Sequence, residues 1–503
     1  MKGCFLLLYI LLLAPIFVQA QQITFSEPLR EDDRDMNFDI IGRVKKNILV
    51  FKNLRSHYAI NIYNDSMELK DKVDLEFLPT KTFNVDYVAY PDFFYLIYEY
   101  QKRGILYCMA VKMDPNGQKM SEPVQLDTTS VGSIGDNKIY SAINSEDKKK
   151  IMVFKIQRRD DRLHFVTLLF DDQLQLTHKT KSNIEYNDRK DILSEFFLDN
   201  DGNLIFNVAY QKTTRESPSA VMLVIKKAIQ DTFSFHPLDL NKNYVDEMKM
   251  KVDNLNKKYL LSSFYYKEKS TNIQGLLCNI WDAVADTMYA KVFTEFTDEL
   301  RSMAKSNGSL KSSFNDFFIR SMILKKDGGF ILTAEDFSSQ STGSNSWNRY
   351  DYLYGAPYLN SYDYYNYNPA YGYYYRPYGS FSQSVRYYYE NVLVLKMSPK
   401  GMPERSAVIY KQQFSDDSDN YLSFGTFSTA GELHILFNDI SKKNKLLSEN
   451  ILTPDGETRR NPTLKTNERD YEFMPRFTKQ IGVRQVIIPC TYRGQICFAK
   501  VIF

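Results

Sequence analysis

The chain has 503 residues, a formal net charge of +3 and no long basic run, so its composition argues against a nucleic-acid-binding protein. Glycine and proline are sparse, at 21 and 17 residues, whereas tyrosine and phenylalanine number 37 and 34. This composition favours a strand-rich globular protein over a disordered chain.

The first twenty residues have the three zones of a secretory signal peptide. Lys2 precedes an apolar run from Phe5 to Val18, and the small residue Ala20 ends the cleavage site, so the mature chain is expected to begin at Gln21. The alternative is an uncleaved anchor, but the run is shorter than the roughly twenty residues that a spanning helix needs. No transmembrane segment is predicted after cleavage. The sequence thus predicts an exported protein of the periplasm, the outer surface or the extracellular space.

Beyond the signal peptide, the sequence repeats a unit of about fifty residues. A short strand is followed by a polar turn, a strongly apolar strand, a variable loop and another apolar strand. Turn residues such as DPNG at 114–117 and SPKG at 398–401 then precede a weaker fourth strand. The second strands of the eight units read NILVFKN, FYLIYEY, KIMVFKI, NLIFNVAY, YLLSSFYY, GFILTAED, ELHILFND and RQVIIPCT.

Four-stranded meanders repeated without intervening helices resemble the β-propeller superfamily. The resemblance covers nearly all of residues 21–503 and is architectural, because the motifs of WD40 proteins and sialidases are absent and the kelch double glycine occurs once, at Gly328-Gly329. It implies an all-β fold, a single propeller of about eight blades, each a four-stranded antiparallel meander. A pair of β-sandwiches is the alternative, but it would not explain the fixed strand order or the turn after the third strand.

The connection into the sixth unit, residues 297–313, has a helical pattern. Phe296, Leu300, Met303 and Ala304 recur at helical spacing, which predicts a short helix. Its apolar stripe is expected to pack in the core rather than to bind a partner.

The sixth unit also carries an insertion, residues 341–389, that is rich in tyrosine. It is expected on the rim that collects the loops between second and third strands and the connections between units. Tyrosine combines a rigid apolar ring with a polar tip, which suits a surface that binds a protein or a glycan. The alternative is a loop that covers apolar surface or lacks order. The candidate binding residues are Trp347, Tyr352, Tyr358, Tyr364, Tyr365, Tyr371, Tyr373, Tyr374, Tyr375 and Tyr378.

The last unit has only three strands before the chain ends at Phe503. The segment QQITFSEP, which starts at Gln21, is expected to supply the missing outer strand. Pairing the two ends of the chain in this way would close the ring and remove an exposed sheet edge.

A tight turn at Arg493-Gly494 would place Cys490 directly opposite Cys497 in the last unit. Opposed residues lie within reach of a disulfide, so the pair forms either a bridge or two reduced thiols. Cys108 and Cys278 fall in different units and are interpreted as small buried residues.

The residue patterns of common catalytic and metal sites are missing. No HExxH, GxSxG or GxxxxGK[ST] motif occurs, so neither a metal nor a cofactor is predicted. Residues 199–203 begin like a calcium loop, but Leu204 stands where glycine is needed and Tyr210 where a glutamate should be, which favours a hairpin turn. The five histidines fall in different units: His57, His164, His178, His236 and His434.

Asp86, Glu195 and Asp316 lie on candidate innermost strands, where they would face the channel as catalytic acids or as structurally paired ones. The leading hypothesis is a non-enzymatic binding or scaffold protein of the cell envelope that holds a protein or glycan near the insertion. One alternative is a secreted carbohydrate-active or hydrolytic propeller enzyme with carboxylates in the channel. Self-assembly through tyrosine stacking is another.

Overall fold

In the computed structural model, the strands form eight antiparallel sheets that follow one another in a ring. The predicted signal peptide, residues 1–20, lies outside the described part. The structure describes residues 21–29, 38–54, 57–80, 82–131, 139–159, 161–187, 190–213, 216–267, 270, 272–305, 309–341, 349, 353, 385–416, 418–439, 446–461 and 471–503.

Each sheet is one blade of a propeller, and in the first seven blades the main strands follow one another in chain order across the blade. First strands of neighbouring blades contact each other and fourth strands are the most exposed, so the first strands surround the channel. The prediction of about eight four-stranded meanders is confirmed. Blade one contains β2 (Phe38–Val44), β3 (Asn47–Leu54), β4 (His57–Tyr63) and β5 (Leu69–Asp74), and blade two contains β6 (Thr82–Ala89), β7 (Phe94–Lys102), β8 (Ile105–Met113) and β9 (Val124–Ser130). Blade three contains β10 (Tyr140–Asn144), β11 (Lys150–Arg159), β12 (Arg162–Asp171) and β13 (Leu176–Glu185). Blade four contains β14 (Asp191–Leu193), β15 (Phe197–Leu198), β16 (Leu204–Tyr210), β17 (Ala220–Lys226) and β18 (Ser234–Leu238).

Three blades have a first strand that is divided into two short pieces, namely blades four, five and eight. Blade six has an additional short strand beside its third strand. Blade five contains β19 (Tyr244–Val245), β20 (Lys249–Asp253), β21 (Lys258–Tyr266), β22 (Gly275–Asp282) and β23 (Thr287–Glu295). Blade six contains β24 (Phe317–Leu324), β25 (Phe330–Ser341), β26 (Val385–Met397), β27 (Pro403–Ile409) and β28 (Gln413–Asp416). Blade seven contains β29 (Phe424–Thr429), β30 (Glu432–Asp439), β31 (Leu446–Leu452) and β32 (Thr458–Arg460).

Blade eight joins the two ends of the chain. Gln22 lies opposite Ile502 and Phe25 opposite Ala499, so the N-terminal strand is the outer strand of the last blade. This confirms the predicted closure of the ring. The blade contains β33 (Tyr471–Phe473), β34 (Lys479–Gly482), β35 (Gln485–Tyr492), β36 (Gln495–Ile502) and β1 (Gln22–Phe25).

The hydrophobic core lies between blades rather than within one central mass. Every pair of adjacent blades buries its own cluster of aliphatic and aromatic side chains. At the junction of the first and last blades, Ile48 and Val50 pack with Ile487 and Phe498. The ring is therefore held by eight apolar seams, since burial of such side chains is the main favourable contribution to folding.

The turns after the third strands help to lock adjacent blades together. Gly401 has a φ angle of +76°, and a Cβ atom there would lie 2.9 Å from the Cys278 sulfur of the preceding blade. Gly117, in the equivalent turn of blade two, faces the Val73 side chain of blade one. Glycine is required at such a turn because it tolerates the left-handed conformation and leaves room for the neighbouring blade.

Few helices interrupt the strands. Helix α1 (Asp298–Ala304) begins at Thr297, whose hydroxyl accepts a hydrogen bond from the Leu300 amide, and Leu300 and Ala304 are buried in the seam between blades five and six. The predicted short helix and its packing role are confirmed. Two 3₁₀ turns span Leu310–Ser312 and Pro475–Phe477. Among the described residues, no helix has the length and apolar character needed to cross a membrane.

Candidate binding surface at blade six

Blade six carries a three-stranded extension on the rim that holds the loops between second and third strands. Its strands β25 and β26 are 12 and 13 residues long, and residues 337–341 pair with residues 385–389 beyond a bulge. Strand β28 adds a third strand along the start of β26. We call residues 337–341, 385–389 and 413–416 the blade-six platform. The last five residues of the predicted insertion therefore belong to a regular strand.

The platform exposes an ion pair and the Phe414 ring, beside the partly buried ring of Tyr388. The Arg386 guanidinium makes two contacts with the Asp416 carboxylate, at 2.7 and 3.0 Å. These contacts raise the pKa of Arg386 above its usual range and lower the pKa of Asp416. Phe414 is 53% exposed, and its ring centroid lies 6.4 Å from that of Tyr388. The outer face of the platform thus offers apolar rings beside charged groups, a combination common in binding surfaces.

A group of buried charges supports the platform from below. The Glu335 carboxylate, fully buried, contacts the Lys411 ammonium at 2.8 Å and the Arg320 guanidinium at 3.0 Å. Ser423 donates a hydrogen bond of 2.7 Å to the same carboxylate. Burial lowers the pKa of Lys411, although Glu335 opposes that effect. Paired charges of this kind are seldom buried without a geometric role, because their desolvation offsets most of their attraction.

A second ionic group links the platform to blade eight. The Arg476 guanidinium contacts both carboxylate oxygens of Asp419, at 2.7 and 2.8 Å. The Tyr389 hydroxyl donates a hydrogen bond of 2.6 Å to the same carboxylate. Burial raises the pKa of Asp419, but the contacts with Arg476 outweigh it and the pKa is lowered. The base of β26 is therefore tied to the 3₁₀ turn of the last blade.

Between β25 and β26, the structure describes two residues of the insertion, Arg349 and Leu353. Arg349 lies between blades five and six, where its guanidinium contacts Asp246, donates a hydrogen bond to the Asn315 carbonyl and lies 4.0 Å from the centroid of the Phe318 ring. Leu353 packs against a cluster below the platform that consists of Phe318, Phe337, Tyr389 and Leu422. These contacts fix the beginning of the insertion against the propeller.

The ten aromatic residues predicted to form the binding site all lie outside the described residues, so their role stays a prediction. The platform residues that the structure adds, among them Arg386 and Phe414, were not singled out from the sequence. Tyr387, Tyr388 and Tyr389 fell within the tyrosine-rich range. Their place in a strand could have been predicted from the strongly apolar, strand-like run VLVLKM that follows them directly.

The acids predicted to line the channel are dispersed over three blades. Asp86, on β6, is buried and accepts a hydrogen bond of 2.7 Å from Asn84. Glu195 lies in the break between β14 and β15, where Lys249 contacts it at 3.2 Å and also contacts Glu247 at 2.9 Å. Asp316 directly precedes β24. Glu195 thus shares the Lys249 ammonium with Glu247, which was not among the predicted acids.

Blade seven contains a buried row of hydroxyl, imidazole and carboxylate groups. Thr429 lies 2.6 Å from His434 Nε2, and His434 Nδ1 lies 2.5 Å from a carboxylate oxygen of Glu449. The order matches that of a nucleophile, a base and an acid. All three residues are less than 10% exposed, and Glu449 also accepts hydrogen bonds from Asn461 and Gln21. The row therefore connects blade seven to the residue that precedes β1.

The segment that resembles the start of a calcium loop, residues 199–203, forms a turn. Asp199 accepts hydrogen bonds from the Asp201 and Asn203 amides and from the Tyr259 hydroxyl, so residues 199–203 form the predicted hairpin turn. Within the described part of the chain, no three His, Cys, Asp or Glu residues are grouped so that they could hold a metal ion.

No protein-family model matches this sequence, and no curated protein matches it either. Among solved structures, prolyl oligopeptidase B from Galerina marginata superposes with a TM-score of 0.40 at 10% identity, over 94% of this chain and 56% of its own. A polysaccharide lyase gives a TM-score of 0.39 at 10% identity, with coverages of 83% and 89%. The propeller domain of the Trilobed protease from Pyrococcus furiosus gives 0.36 at 8%, with coverages of 83% and 94%.

The chain thus spans about half the length of the prolyl oligopeptidase chain. Similarities of this size carry no argument about activity. The eight-bladed architecture follows from the strand pairing and the apolar seams of this chain itself: it is a β-propeller.

Proposed function

We propose that the protein is an exported, non-enzymatic binding or scaffold protein of the cell envelope that holds a protein or glycan partner at blade six. The observation that carries the proposal is the blade-six platform. It combines the exposed Phe414 ring and an exposed ion pair with a base of paired charges, buried around Glu335 and partly buried at Asp419. A rigid base reduces the entropy that a binding surface loses when it engages a partner.

The tyrosine-rich insertion is proposed as the part that contacts the partner. Arg349 anchors the first part of the insertion between blades five and six, and the end of the insertion pairs with β25 in the platform, so both parts are held against the propeller. Aromatic side chains supply large contact areas at low entropic cost and stack on sugar rings as well as on protein groups.

The test compares the intact protein with a variant in which residues 354–384 are replaced by a short Gly-Ser linker. Arg349, Leu353 and β26 stay in place, so the variant should melt at the same temperature. Both proteins are used for affinity capture from envelope extract and on a glycan array. Partners or glycans retained only by the intact protein would support the proposal, and identical binding by both proteins would contradict it.

A second pair of variants tests the platform itself. Phe414→Ser removes an exposed ring of the platform, while Tyr289→Ser removes a ring of similar exposure from the outer strand of blade five. We expect weaker binding of the captured partner for the first variant alone. Equal binding by both variants would show that the platform does not take part.

The enzymatic alternative has less support. In a glycosidase, one carboxyl group donates a proton and the other faces the sugar or a water molecule. Glu195 and Glu247 are instead ion-paired with the ammonium of Lys249. Hydrolysis of a polysaccharide that is lost in Glu195→Gln and retained in the linker variant would favour the enzyme.

Export is part of the proposal and rests on the sequence of residues 1–20. Mass spectrometry of the protein purified from envelope fractions should give a mature chain that begins at Gln21. A chain that retains Met1 in the cytoplasmic fraction would contradict export without affecting the binding test.

A further inference from the structure

Blade eight contains two cysteines in direct cross-strand contact. Cys490 on β35 lies opposite Cys497 on β36, in the register predicted from the turn at Arg493-Gly494. Their sulfur atoms are 2.9 Å apart, and both residues are fully buried. Directly opposed strand positions satisfy the distance between α-carbons that a disulfide requires.

The other two described cysteines have no such neighbour. Cys108 on β8 lies opposite Glu99 and Asp127, and Cys278 on β22 lies opposite Ser262 and Val292. The contact in blade eight is therefore specific to one pair, and the remaining two cysteines serve as internal controls.

The position of the pair gives it a structural consequence. Strand β36 lies between β35 and β1, so the hairpin that carries both cysteines also holds the strand that closes the ring. Both cysteines belong to the apolar seam with blade seven, which also includes Phe473 and Ile488. A covalent link between β35 and β36 would restrict the unfolded chain and keep the hairpin formed when the blade opens.

We propose that Cys490 and Cys497 are a modification site that becomes a disulfide when the protein folds in an oxidising compartment. The oxidant is a small-molecule disulfide such as oxidised glutathione. One cysteine thiolate attacks it and forms a mixed disulfide, releasing one glutathione thiolate. The second cysteine thiolate attacks the cysteine sulfur of that mixed disulfide, so the Cys490–Cys497 bond forms and a second glutathione leaves. Two thiol protons and two electrons are transferred in total.

The buried position also determines when the reaction takes place. Burial raises the pKa of the Cys490 thiol well above its ordinary value, and the Cys497 sulfur beside it acts in the same direction. Since the thiolate is the reactive form, the folded dithiol reacts slowly and oxidation should occur before blade eight is packed.

The experiment refolds the reduced, denatured protein in a buffer of reduced and oxidised glutathione. Free thiols are then blocked under denaturing conditions, and peptides are mapped without reduction. We expect a peptide in which Cys490 and Cys497 are linked, with Cys108 and Cys278 fully blocked. Complete blocking of all four cysteines, or a bridge that includes Cys108 or Cys278, would overturn the proposal.

A stability measurement distinguishes the bridge from a trapped side product. The refolded oxidised protein should unfold at a higher urea concentration than the same protein after reduction. The double variant Cys490→Ala and Cys497→Ala, refolded in the same buffer, should show no such shift. An equal shift in the double variant, or none in the native protein, would overturn the proposal. The outcome is independent of the binding role, because neither measurement uses a partner.

Discussion

Blade six and blade eight both depart from a regular four-stranded meander, but different forces hold their additional parts. In blade eight, β1 adds Ile23 and Phe25 to an apolar cluster, and the Phe25 ring stacks on Tyr471 at 3.8 Å. In blade six, the platform stands on buried charges around Glu335 and on the partly buried pair of Asp419 and Arg476.

The additional strand of blade eight closes the ring, whereas the additional strands of blade six form a surface that has to be held in position. Apolar burial occurs in every seam, so blade eight repeats the general rule of the ring. Buried ion pairs contribute little net stability compared with apolar side chains of the same volume. Buried pairs also occur elsewhere in the ring, for example Lys155 with Asp127 and His434 with Glu449. In blade six, the Glu335 carboxylate has two cationic partners and lies two residues before the platform part of β25, so it can fix the geometry that a binding surface needs.

The largest effect is expected from removal of the closing strand. Deletion of residues 21–28 exposes the edge of β36 and removes the contacts of Ile23 and Phe25. We expect a loss of about 5 kcal/mol or more in the free energy of unfolding, or failure to fold. Urea unfolding followed by tryptophan fluorescence would measure it.

A rescue variant makes this test specific. Gln22 lies beside Ile502, so the segment 21–28 can be attached behind Phe503 through a short turn and form a hairpin with β36. Recovery of most of the lost stability is expected. If the moved strand restores nothing, ring closure is not the reason for the loss.

The second effect tests the ionic base of blade six. Glu335→Ala leaves Lys411 and Arg320, which are 1% and 8% exposed, without their carboxylate. Breaking a buried ion pair on one side costs about 3–5 kcal/mol, so the free energy of unfolding should fall by that amount.

The exposed pair of the same blade is the matched control. Asp416→Ala removes a carboxylate from Arg386, where both partners are about half exposed and screened by water, so the free energy of unfolding should stay almost unchanged. Similar losses for the two variants would mean that the base is not a buried ionic support.

The features of the fold that depend on the repeat could be predicted from the sequence. The blade number, the pairing of β1 with β36 and the register of Cys490 with Cys497 all follow from local patterns of apolar residues and turns. The base of the platform could not be predicted in the same way. Glu335 and Lys411 are distant in sequence, and a single charged residue in a strand does not indicate which partner the fold brings to it.

A third, smaller effect tests the lock between blades. Gly401→Ala would place a methyl group 2.9 Å from the Cys278 sulfur at a φ angle of +76°, and we expect a loss of about 2–3 kcal/mol. Gly494→Ala has the same φ angle but no atom within 4 Å, so it should lose only about 1 kcal/mol from backbone strain. Equal losses in thermal or urea unfolding would show that the turn does not press against the preceding blade.

The smallest effect concerns a polar side chain within an apolar seam. Asn279 on β22 is fully buried, and within the described residues neither polar atom of its side chain has a hydrogen-bond partner. Its neighbours on the same strand, Leu277 and Trp281, belong to the seam between blades four and five. Replacing an unsatisfied buried amide by an apolar group of similar shape removes a desolvation cost, so Asn279→Leu should raise the free energy of unfolding by about 1 kcal/mol.

Asn207, in blade four, is the matched control for this prediction, because it is also buried but donates a hydrogen bond of 3.1 Å to the Met248 carbonyl of blade five. Asn207→Leu should therefore lower the free energy of unfolding by about 1–2 kcal/mol, since that carbonyl loses its partner. If urea unfolding shows a gain in stability for Asn279→Leu and a loss for Asn207→Leu, apolar packing stabilises this seam as it does blade eight. A buried polar side chain would then be tolerated where it forms a hydrogen bond to the next blade. A loss of stability in both variants would instead mean that Asn279 also forms a hydrogen bond across its seam. Buried polar contacts would then support other blades as well as blade six.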